Sequence, residues 1–321
     1  MTSTYRLYGV PTETTFPITS TPPRTAEAPV LRILHEPSPL SDRFWAQARC
    51  VYRETEDGTT RSLHHHPAGD RYALRFEGIV SYLLSADTIL CALNPPERLR
   101  AAEIWLMGAA LSLWNELRGV PALHAAAVAM HGRGVGVLAT SKGGKSSLAA
   151  ACMQAGHPLL TDDVLMVHPS DGAIVGEPSI PQMRMWPDQA RHFVGTDEGL
   201  PRVVPHLTKR RVPVGPGRFG TFQGGAVPMA HLLLPERRAN ATSVQLTPVP
   251  PQEALIELVR HSFLPRSVAA LDLSARRLSV LVPLAQQAPM YRLIYPDGVE
   301  HLPDVVAALE DLVRATARVE G

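Results

Sequence analysis

The sequence has few cysteines and no long apolar run, and each absence argues against a class of protein. Its 321 residues contain three cysteines, Cys50, Cys91 and Cys152, which are far apart and form no C-x-x-C pair. This pattern does not fit a disulfide framework or a zinc knuckle, so each thiol is expected to be a small core residue. No uninterrupted apolar stretch is long enough to span a bilayer.

The sequence also lacks a charge imbalance. The 31 Lys and Arg residues nearly balance the 30 Asp and Glu residues, for a formal net charge of +1. A chain this close to neutral has no broad electrostatic preference for nucleic acid or for an anionic membrane, so any phosphate binding must be local. Residues 1–17 contain neither the basic nor the apolar part of a secretory signal, and we expect a cytoplasmic protein.

The composition and the hydrophobic pattern of the sequence change near residue 95. The earlier part has Pro- and Thr-rich stretches and short alternating runs such as residues 72–76, which predict short strands and turns. Residues 97–117 then carry apolar side chains at helical spacing. We therefore predict an N-terminal β-rich domain over residues 1–95 and a second domain over residues 96–321.

Strands and helices alternate from residue 123 onward, which indicates an α/β arrangement. Residues 135–138 predict a buried strand, and residues 146–154 predict a helix ended by Gly156. Further helices are predicted over residues 252–260 and 302–314.

The strongest motif is a run that follows one of these strands and precedes one of these helices. Its members are Ala139, Thr140, Ser141, Lys142, Gly143, Gly144, Lys145, Ser146 and Ser147. A strand before and a helix after are the context that a P-loop requires, so all nine residues are candidate nucleotide contacts.

The residue types in this loop are those that phosphate binding requires. Gly143 and Gly144 let the backbone curl so that consecutive amides point at phosphate oxygens. Lys145 is expected to contact the outer phosphates and Ser146 to ligate magnesium, which makes ATP and Mg²⁺ the predicted cofactors. The first glycine of the motif is replaced by Ala139.

Two adjacent carboxylates, Asp162 and Asp163, follow the predicted P-loop helix. An acidic residue near a strand that neighbours the P-loop strand can hold magnesium or orient the nucleophile. With two of them, one can serve the metal while the other accepts a proton from the attacking hydroxyl. An isolated Asp-Asp pair would instead indicate an ordinary turn.

Three segments together resemble the catalytic domain of HPr kinase/phosphorylase and its smaller kinase relatives. They are residues 123–128, the P-loop, and residues 160–164 with the acidic pair. The resemblance is close over residues 123–167 and weaker toward the chain end. It implies an α/β fold: a P-loop kinase domain of the HPr kinase C-terminal type, a mixed sheet with flanking helices, preceded by a smaller β-rich α+β domain.

The match extends to single residues. His124 corresponds to the family's histidine upstream of the P-loop, although alone it would be interpreted as a core or turn histidine. The matches in the loop are Ser141, Gly144, Lys145 and Ser146. The resemblance implies that the aspartate pair supplies the catalytic base and helps to organise the metal site. We assign Asp162 as the base and Asp163 to the metal, with the reverse order as the alternative.

The chain departs from this family at two places. Lys142 stands where the family usually has glycine, which adds a positive charge at the tip of the loop. Between residues 172 and 225, no acidic residue is followed by an R-G-x-G-like run. The reverse, phosphorylase reaction is therefore not expected.

Basic residues downstream are candidate contacts of the transferring phosphoryl group or of an acidic substrate. They are Arg184, Lys209 and Arg210. Charge that develops at the phosphoryl group must be neutralised, but a basic cluster is also typical of a solvated surface. The run of His64, His65 and His66 suggests a metal site, yet neighbours in a strand point to opposite sides, and an exposed loop is the preferred interpretation.

The overall layout resembles a branch of these kinases that phosphorylates serine in ribosomally made precursor peptides such as lasso peptides. The leading hypothesis is therefore an ATP- and Mg²⁺-dependent serine kinase acting on a peptide or small protein, with the N-terminal domain as a candidate for peptide recognition. The alternatives are a kinase for a small metabolite and a nucleotide-dependent regulatory module without turnover. No nucleic-acid or membrane partner is expected, and the resemblance suggests a homo-oligomer.

Overall fold

The computed structural model describes residues 2–20, 24–36, 38, 40–56, 58–67, 71–93, 98–203 and 207–320, with the side chains of residues 317–320 excepted. The chain divides into two compact units. The smaller unit comprises Met1–Gly119 and Leu264–Ala275, and the larger comprises Val120–Phe263 and Arg276–Gly321. The predicted domain boundary between residues 95 and 96 falls outside the described residues.

The smaller unit is built on a mixed sheet. In the described part of this unit, eight strands are ordered β1-β2-β3-β8-β7-β6-β5-β4, with parallel pairs at β2–β3 and β3–β8. Numbered along the chain, the strands are β1 (Ser3–Leu7), β2 (Val10–Thr14), β3 (Leu31–Glu36), β4 (Arg49–Glu56), β5 (Thr59–His66), β6 (Arg71–Phe76), β7 (Val80–Leu84) and β8 (Thr88–Leu93). Its helices are α1 (Asp42–Gln47), α2 (Leu99–Trp105), α3 (Leu111–Leu117) and α7 (Pro265–Ala270).

The helical segment predicted after residue 95 belongs to this smaller unit. Helices α2 and α3 are joined by a π-helical turn, Leu106–Ala110, and the expected first residue, Glu97, lies outside the described residues. The hydroxyl of Tyr8 donates to the Met107 carbonyl at 2.7 Å, and that of Tyr82 donates to the Ala102 carbonyl. These buried bonds join the helix to the sheet, so the division between the units follows the helix and does not precede it.

The three histidines expected in an exposed loop lie instead at the end of β5. His66 is 4% exposed and stacks on Phe44 with ring centroids 4.9 Å apart. The prediction of a loop was wrong, because the alternating side chains of the strand are covered on one face by α1. The described residues contain no cluster of His, Cys, Asp or Glu able to hold a metal ion.

The larger unit also has a mixed sheet. Its described strands are ordered β10-β9-β12-β13-β16-β18-β17, while β11 pairs with β9 and β10 pairs in addition with β16. The strands are β9 (Ala122–Met130), β10 (Arg133–Leu138), β11 (Leu159–Thr161), β12 (Val164–Ser170), β13 (Ala173–Gly176), β16 (Val227–Arg238), β17 (Gln245–Val249) and β18 (Met290–Pro296), with β14 (Gln182–Met185) and β15 (Arg210–Pro213) forming a separate ribbon. The helices are α4 (Lys145–Gln154), α5 (Pro187–Val194), α6 (Pro251–Arg260), α8 (Ser274–Gln287, whose first two residues belong to the smaller unit) and α9 (Leu302–Glu320), with a 3-10 turn at Val299–His301.

Strand β10 is the element that positions the site. It pairs antiparallel with β9 and parallel with β16, so it is hydrogen-bonded on both edges. A Cβ on Gly134 would lie 2.6 Å from Met229 Sδ, and one on Gly136 would lie 2.9 Å from Leu232 Cδ2. The strand packs this closely because it has no side chain at those two positions. Apolar clusters lie on both sides of the sheet, and α4 belongs to one of them.

The α/β class with a mixed sheet is confirmed, and so are the strand before the P-loop and the helix after it. Helix α4 begins at Lys145, directly after its N-cap Gly144, which has φ of 91°, and Gly156, with φ of 96°, follows its last turn. The helices predicted over residues 252–260 and 302–314 correspond to α6 and α9. The HPr-kinase-type arrangement of the domains stays a prediction. None of the described helices is both long and apolar enough to cross a membrane.

The smaller unit provides a test of how its helix is anchored. Glu103 is 2% exposed, and its carboxylate accepts hydrogen bonds from the amides of Thr19 and Ser20 at 2.9 and 2.8 Å and from both hydroxyls. We expect Glu103→Ala to lower the free energy of unfolding by about 2–4 kcal/mol, because buried donors lose a charged acceptor. Urea unfolding measures this. Glu13→Ala is the control, since its carboxylate is 39% exposed and should cost less than about 0.5 kcal/mol.

Candidate active site

The larger unit contains a cavity of about 580 Å³ at the end of β10. It is open to solvent and brings together residues from six separate segments. Its lining is His124, Thr140, Ser141, Lys142, Gly143, Gly144, Lys145, Ser146, Ser147, Asp162, Asp163, Arg184, Trp186, Pro187, Asp188, Gln189, Val203, Leu207, Lys209 and Arg237. Basic side chains outnumber carboxylates in this set, which favours a polyanion as the ligand.

Sheet register explains how distant residues meet in this cavity. Strand β9 pairs with β12 so that His124 lies opposite Val164, the residue after the acidic pair. In the separate ribbon, Met185 of β14 lies opposite Arg210 of β15. Continuing that register by one residue places Trp186 beside Lys209. Both pairs come from strand pairing between remote parts of the chain.

The loop between β10 and α4 has the backbone that phosphate binding requires. Gly144 has φ of 91°, and Lys142 has φ of 65°, which is uncommon for a residue with a side chain. A Cβ added to Gly143 would lie 2.7 Å from Ala139 Cβ and 3.0 Å from the Thr140 carbonyl. Since position 139 already carries a methyl group, position 143 must have none. The curled loop at the start of a helix forms a concave set of amides suited to an anion.

The tip of the loop is held by an arginine from another strand. Arg237 donates from Nη2 to the Lys142 carbonyl at 3.0 Å, and its Nη1 lies 3.5 Å from Asp297 Oδ1. This bond stabilises the left-handed conformation of Lys142. It accounts for how a lysine occupies a position where glycine would be free of strain.

Lys145 is buried and hydrogen-bonded within the site. It is 7% exposed, and its ammonium donates to the Ala139 carbonyl and, at 3.2 Å, to the Thr140 carbonyl. The same Nζ lies 3.0 Å from His124 Nε2. Burial lowers the pKa of Lys145, although Asp163 and Asp162 oppose the change.

The contact with Lys145 determines the tautomer of His124. An ammonium only donates, so Nε2 accepts and the ring proton of neutral His124 is on Nδ1. Nδ1 lies 3.6 Å from Asp163 Oδ1, which is too long for a hydrogen bond. Burial is the main cause that lowers the pKa of His124, and Lys145 adds to it, so the imidazole is neutral at pH 7.

Asp162 is the most buried carboxylate of the cavity. It is 5% exposed, and Oδ2 accepts a hydrogen bond from the Arg184 amide at 2.6 Å. Its Oδ1 is buried and has no hydrogen-bond partner among the described residues. Burial raises the pKa of Asp162 from 3.8 to about 6, against the opposing effects of the Arg184 amide and the Ser146 side chain.

Asp163 lies beside Asp162 but in a different electrostatic environment. Its side chain is 30% exposed, and Oδ2 accepts a hydrogen bond from Arg184 Nη1 at 2.7 Å. Burial alone would raise the pKa of Asp163, but the charge of Arg184, followed by His124, lowers it below its ordinary value. Two neighbouring carboxylates whose pKa values move in opposite directions are suited to different chemical roles.

The three basic residues predicted near the phosphoryl group have different positions. Arg184 and Lys209 line the cavity. Arg210 does not: its Nη2 lies 3.1 Å from Asp197 Oδ2, and Asp197 also pairs with Arg191 at 2.6 Å. Arg210 therefore stabilises the ribbon that carries Lys209.

Sequence reasoning missed seven of the lining residues, among them Trp186, Gln189 and Arg237. Gln189 donates to Ser147 Oγ at 2.6 Å and accepts from the Trp186 amide at 2.9 Å. The Trp-Pro pair could have predicted where this helix begins, since proline is favoured at the first helical position. It gives no sign that the helix faces a phosphate loop.

The donor set fits magnesium bound together with a nucleotide. Magnesium is usually held by one or two carboxylates, a hydroxyl and phosphate oxygens, and seldom by a complete cage of protein ligands. Ser146 and both aspartates line one cavity, and Asp162 Oδ1 is buried with no hydrogen-bond partner among the described residues, while Ser146 is close enough to lower the pKa of Asp162. Ser146 and Asp163 are the residues that would hold the ion.

Comparison with known proteins finds similar solved structures but no family. No family model matches the sequence, and no curated protein matches it. The solved structure of the Hpr(Ser) kinase/phosphatase from Coxiella burnetii is similar to the chain, with 14% sequence identity and a TM-score of 0.33. The similarity covers 62% of this chain and 99% of that chain. A TM-score this low leaves the family of the chain open.

Neutralising each aspartate in turn should change the free energy of unfolding in opposite directions. A folded-state pKa of about 6, raised from 3.8, means that ionised Asp162 destabilises the fold above pH 6 and does so progressively less as the pH falls. In EDTA at pH 8 we expect Asp162→Asn to increase the free energy of unfolding by about 1–3 kcal/mol. The gain should shrink markedly by pH 4, where the folded state is protonated and the unfolded state, with a pKa of 3.8, is partly protonated.

Asp163→Asn is the matched variant. A lowered folded-state pKa means that ionised Asp163 stabilises the fold at neutral pH, so its neutralisation should destabilise the protein at pH 8. Denaturant unfolding at pH 4, 6 and 8 measures both. Equal signs for the two variants at pH 8 would contradict the division between the carboxylates.

Proposed function

We propose that the protein is an ATP-dependent phosphotransferase that transfers the γ-phosphoryl group to a hydroxyl group. The observation that carries this proposal is the convergence, in one cavity, of a phosphate-type loop with buried Lys145 and of two aspartates in opposite electrostatic states. A loop alone would support nucleotide binding. A buried carboxylate with a raised pKa supplies the base that group transfer to a hydroxyl requires.

The phosphate loop holds the donor nucleotide. The amides of residues 144–147 at the start of α4 face the phosphate oxygens, while the Gly143 amide donates to the Thr140 carbonyl at 3.1 Å and closes the turn. When the nucleotide binds, Lys145 leaves the carbonyls of Ala139 and Thr140 and contacts the outer phosphates. His124 stays neutral and accepts from the lysine, so it guides the ammonium without adding a second charge.

Asp162 is assigned as the general base. It accepts the proton of the attacking hydroxyl as that oxygen forms a bond to the γ-phosphorus and the bond from phosphorus to the bridging oxygen of ADP breaks. Its Oδ2 is fixed by the Arg184 amide, which leaves Oδ1 for the acceptor. Asp163, with Ser146, is assigned to magnesium, which when bound neutralises phosphate charge.

Arg184 and Lys209 complete the charge balance. Arg184 is held by Asp163, and both basic residues border the space next to the loop. Charge that develops on the transferred group is stabilised by such preorganised cations, and positioning with charge neutralisation supplies most of the catalysis.

The acceptor is proposed to be a serine of a peptide or small protein, such as a ribosomally made lasso-type precursor. The support for this is the resemblance of the motifs around His124, the P-loop and the acidic pair to HPr-kinase-like enzymes. On this proposal the N-terminal β-rich unit recognises the peptide, and the enzyme acts in the cytoplasm as a homo-oligomer without nucleic-acid or membrane partners.

The decisive experiment incubates the protein with ATP, Mg²⁺ and candidate peptides or hydroxyl metabolites and follows phosphate transfer by mass spectrometry. We expect a gain of one phosphate on the acceptor. Asp162→Asn should lower kcat by about 10²–10⁴-fold through loss of the base, and Lys145→Ala should abolish measurable transfer.

Asp171→Asn is the matched control for the aspartate. Asp171 is exposed in the turn after β12, with φ of 49°, a conformation that asparagine tolerates, so its activity should be unchanged. ATP binding with no transfer to any acceptor, unaffected by Asp162→Asn, would instead favour a regulatory module.

The short distance from Gly143 to Ala139 and the Thr140 carbonyl gives a second prediction. Gly143→Ala should weaken ATP binding by about ten- to a hundredfold, because the new methyl group displaces the loop by a few tenths of an ångström or more. Calorimetric titration with ATP and Mg²⁺ measures this. Gly225→Ala, which meets nothing within 4 Å, should bind normally, and equal affinities of the two variants would contradict the proposed geometry.

A further inference from the structure

Trp186 differs from the other tryptophans in its place in the fold and not in having a cation at its ring, since Arg75 lies over the Trp45 ring and Arg118 over the Trp114 ring. Trp114 is 1% exposed and donates to the Ser85 carbonyl at 2.9 Å, and Trp105 stacks on Phe76 with centroids 4.2 Å apart. Trp45 packs edge-on against its neighbour Phe44. These three belong to the core or surface of the smaller unit. Trp186 lies in the larger unit and lines the cavity.

The described ring contacts of Trp186 are both cationic. Lys142 Nζ lies 5.8 Å and Lys209 Nζ 5.2 Å from the ring centroid. Lys142 is the tip of the phosphate loop, so the indole is beside the loop itself. Both lysines have long side chains that can move onto phosphate oxygens, and their departure would leave the indole face free for another planar group.

Trp186 is also fixed relative to the start of α4. Gln189 accepts from its amide and donates to Ser147 Oγ, so one side chain ties the cap of α5 to the first turn of the phosphate-loop helix. The acidic pair and Lys145 mark the γ-phosphate end of the cavity. Ser147 lies two residues beyond Lys145 on α4, and Gln189 places the start of α5 beside it.

The lining of the cavity also includes apolar residues besides the indole. Pro187, Val203 and Leu207 lie in the same lining, and Leu207 is 40% exposed although it is a large apolar residue. A cavity whose lining is both cationic and apolar matches a ligand with a polyanionic end and a flat, weakly polar end. A nucleoside triphosphate has this division.

We propose that Trp186 is the stacking platform for the nucleobase of the bound nucleotide, and that Gln189 positions it. This inference rests on the proposed function, because it assumes a triphosphate in the loop. Stacking accepts any base, since every base has a π-face, so Trp186 supplies affinity for the nucleoside and not selectivity between adenine and guanine. Gln189 acts through Trp186 and is a positioning residue.

The test compares ATP with inorganic tripolyphosphate, which has the phosphates but no base. Calorimetric titrations with Mg²⁺ should show that wild type binds ATP more tightly than tripolyphosphate. Trp186→Ala should lower ATP affinity about tenfold and change tripolyphosphate affinity by less than about twofold. Trp186→Phe keeps an aromatic face and should keep most of the ATP affinity.

Intrinsic fluorescence gives a readout that a purely structural role would not change. ATP should alter the tryptophan emission of wild type, tripolyphosphate should alter it less, and the ATP-specific part should be absent in Trp186→Phe. Gln189→Leu should reproduce part of the ATP loss while leaving tripolyphosphate binding unchanged.

Three outcomes would overturn the inference, and they are distinguishable. Equal loss of ATP and tripolyphosphate affinity in Trp186→Ala would mean that the indole only shapes the loop. Unchanged ATP affinity with a raised KM for the acceptor would mean that the indole serves the acceptor. If wild type binds neither ligand, the nucleotide site is wrong, and the proposed function fails with it.

Discussion

The site depends on holding the charge of Lys145 away from bulk water. Its ammonium is satisfied by the carbonyls of Ala139 and Thr140 and by neutral His124, so the lysine is positioned before any ligand arrives. The carboxylates beside Lys145 follow the same rule. Asp163 remains ionised because Arg184 pairs with it, while the more deeply buried Asp162 is the carboxylate that resists ionisation. Removing water is costly for charged groups unless each has a partner, and this constraint gives the two aspartates their different chemistry.

The surrounding fold supplies rigid supports for this arrangement. Strand β10 is hydrogen-bonded on both edges and ends at the phosphate loop, and α4 is packed into the core behind it. The loop itself is the strained element, with Lys142 at φ of 65°, and Arg237 stabilises it from β16. A strained loop between two fixed elements keeps its amides directed at one point, which is what preorganised phosphate binding requires.

Much of the larger unit could be predicted, but less of the smaller one. Glycines, a lysine and serines between an apolar strand and a helix form a local pattern, and the acidic pair is local as well. The three histidines at the end of β5 were wrongly predicted to lie in a loop. Their burial comes from α1, a separate element whose Phe44 stacks on His66, and the local sequence does not show this contact. The helix after residue 95 was predicted from its apolar spacing. Its hydrogen bonds with Tyr8 and Tyr82 join it to the smaller unit, and the spacing of its own residues could not predict them.

The sequence by itself determined the α/β class, and it indicated the candidate phosphate loop and the candidate acidic pair, because the loop and the pair depend on residues that are close together in the chain. Only the tertiary structure decided which groups share the cavity: it added Trp186, Gln189 and Arg237, and it directed Arg210 to Asp197. It also separated the pKa values of Asp162 and Asp163, two residues that are identical in type and adjacent in sequence. Burial and long-range pairing set those differences, and both arise from strand register between segments that lie far apart in the chain.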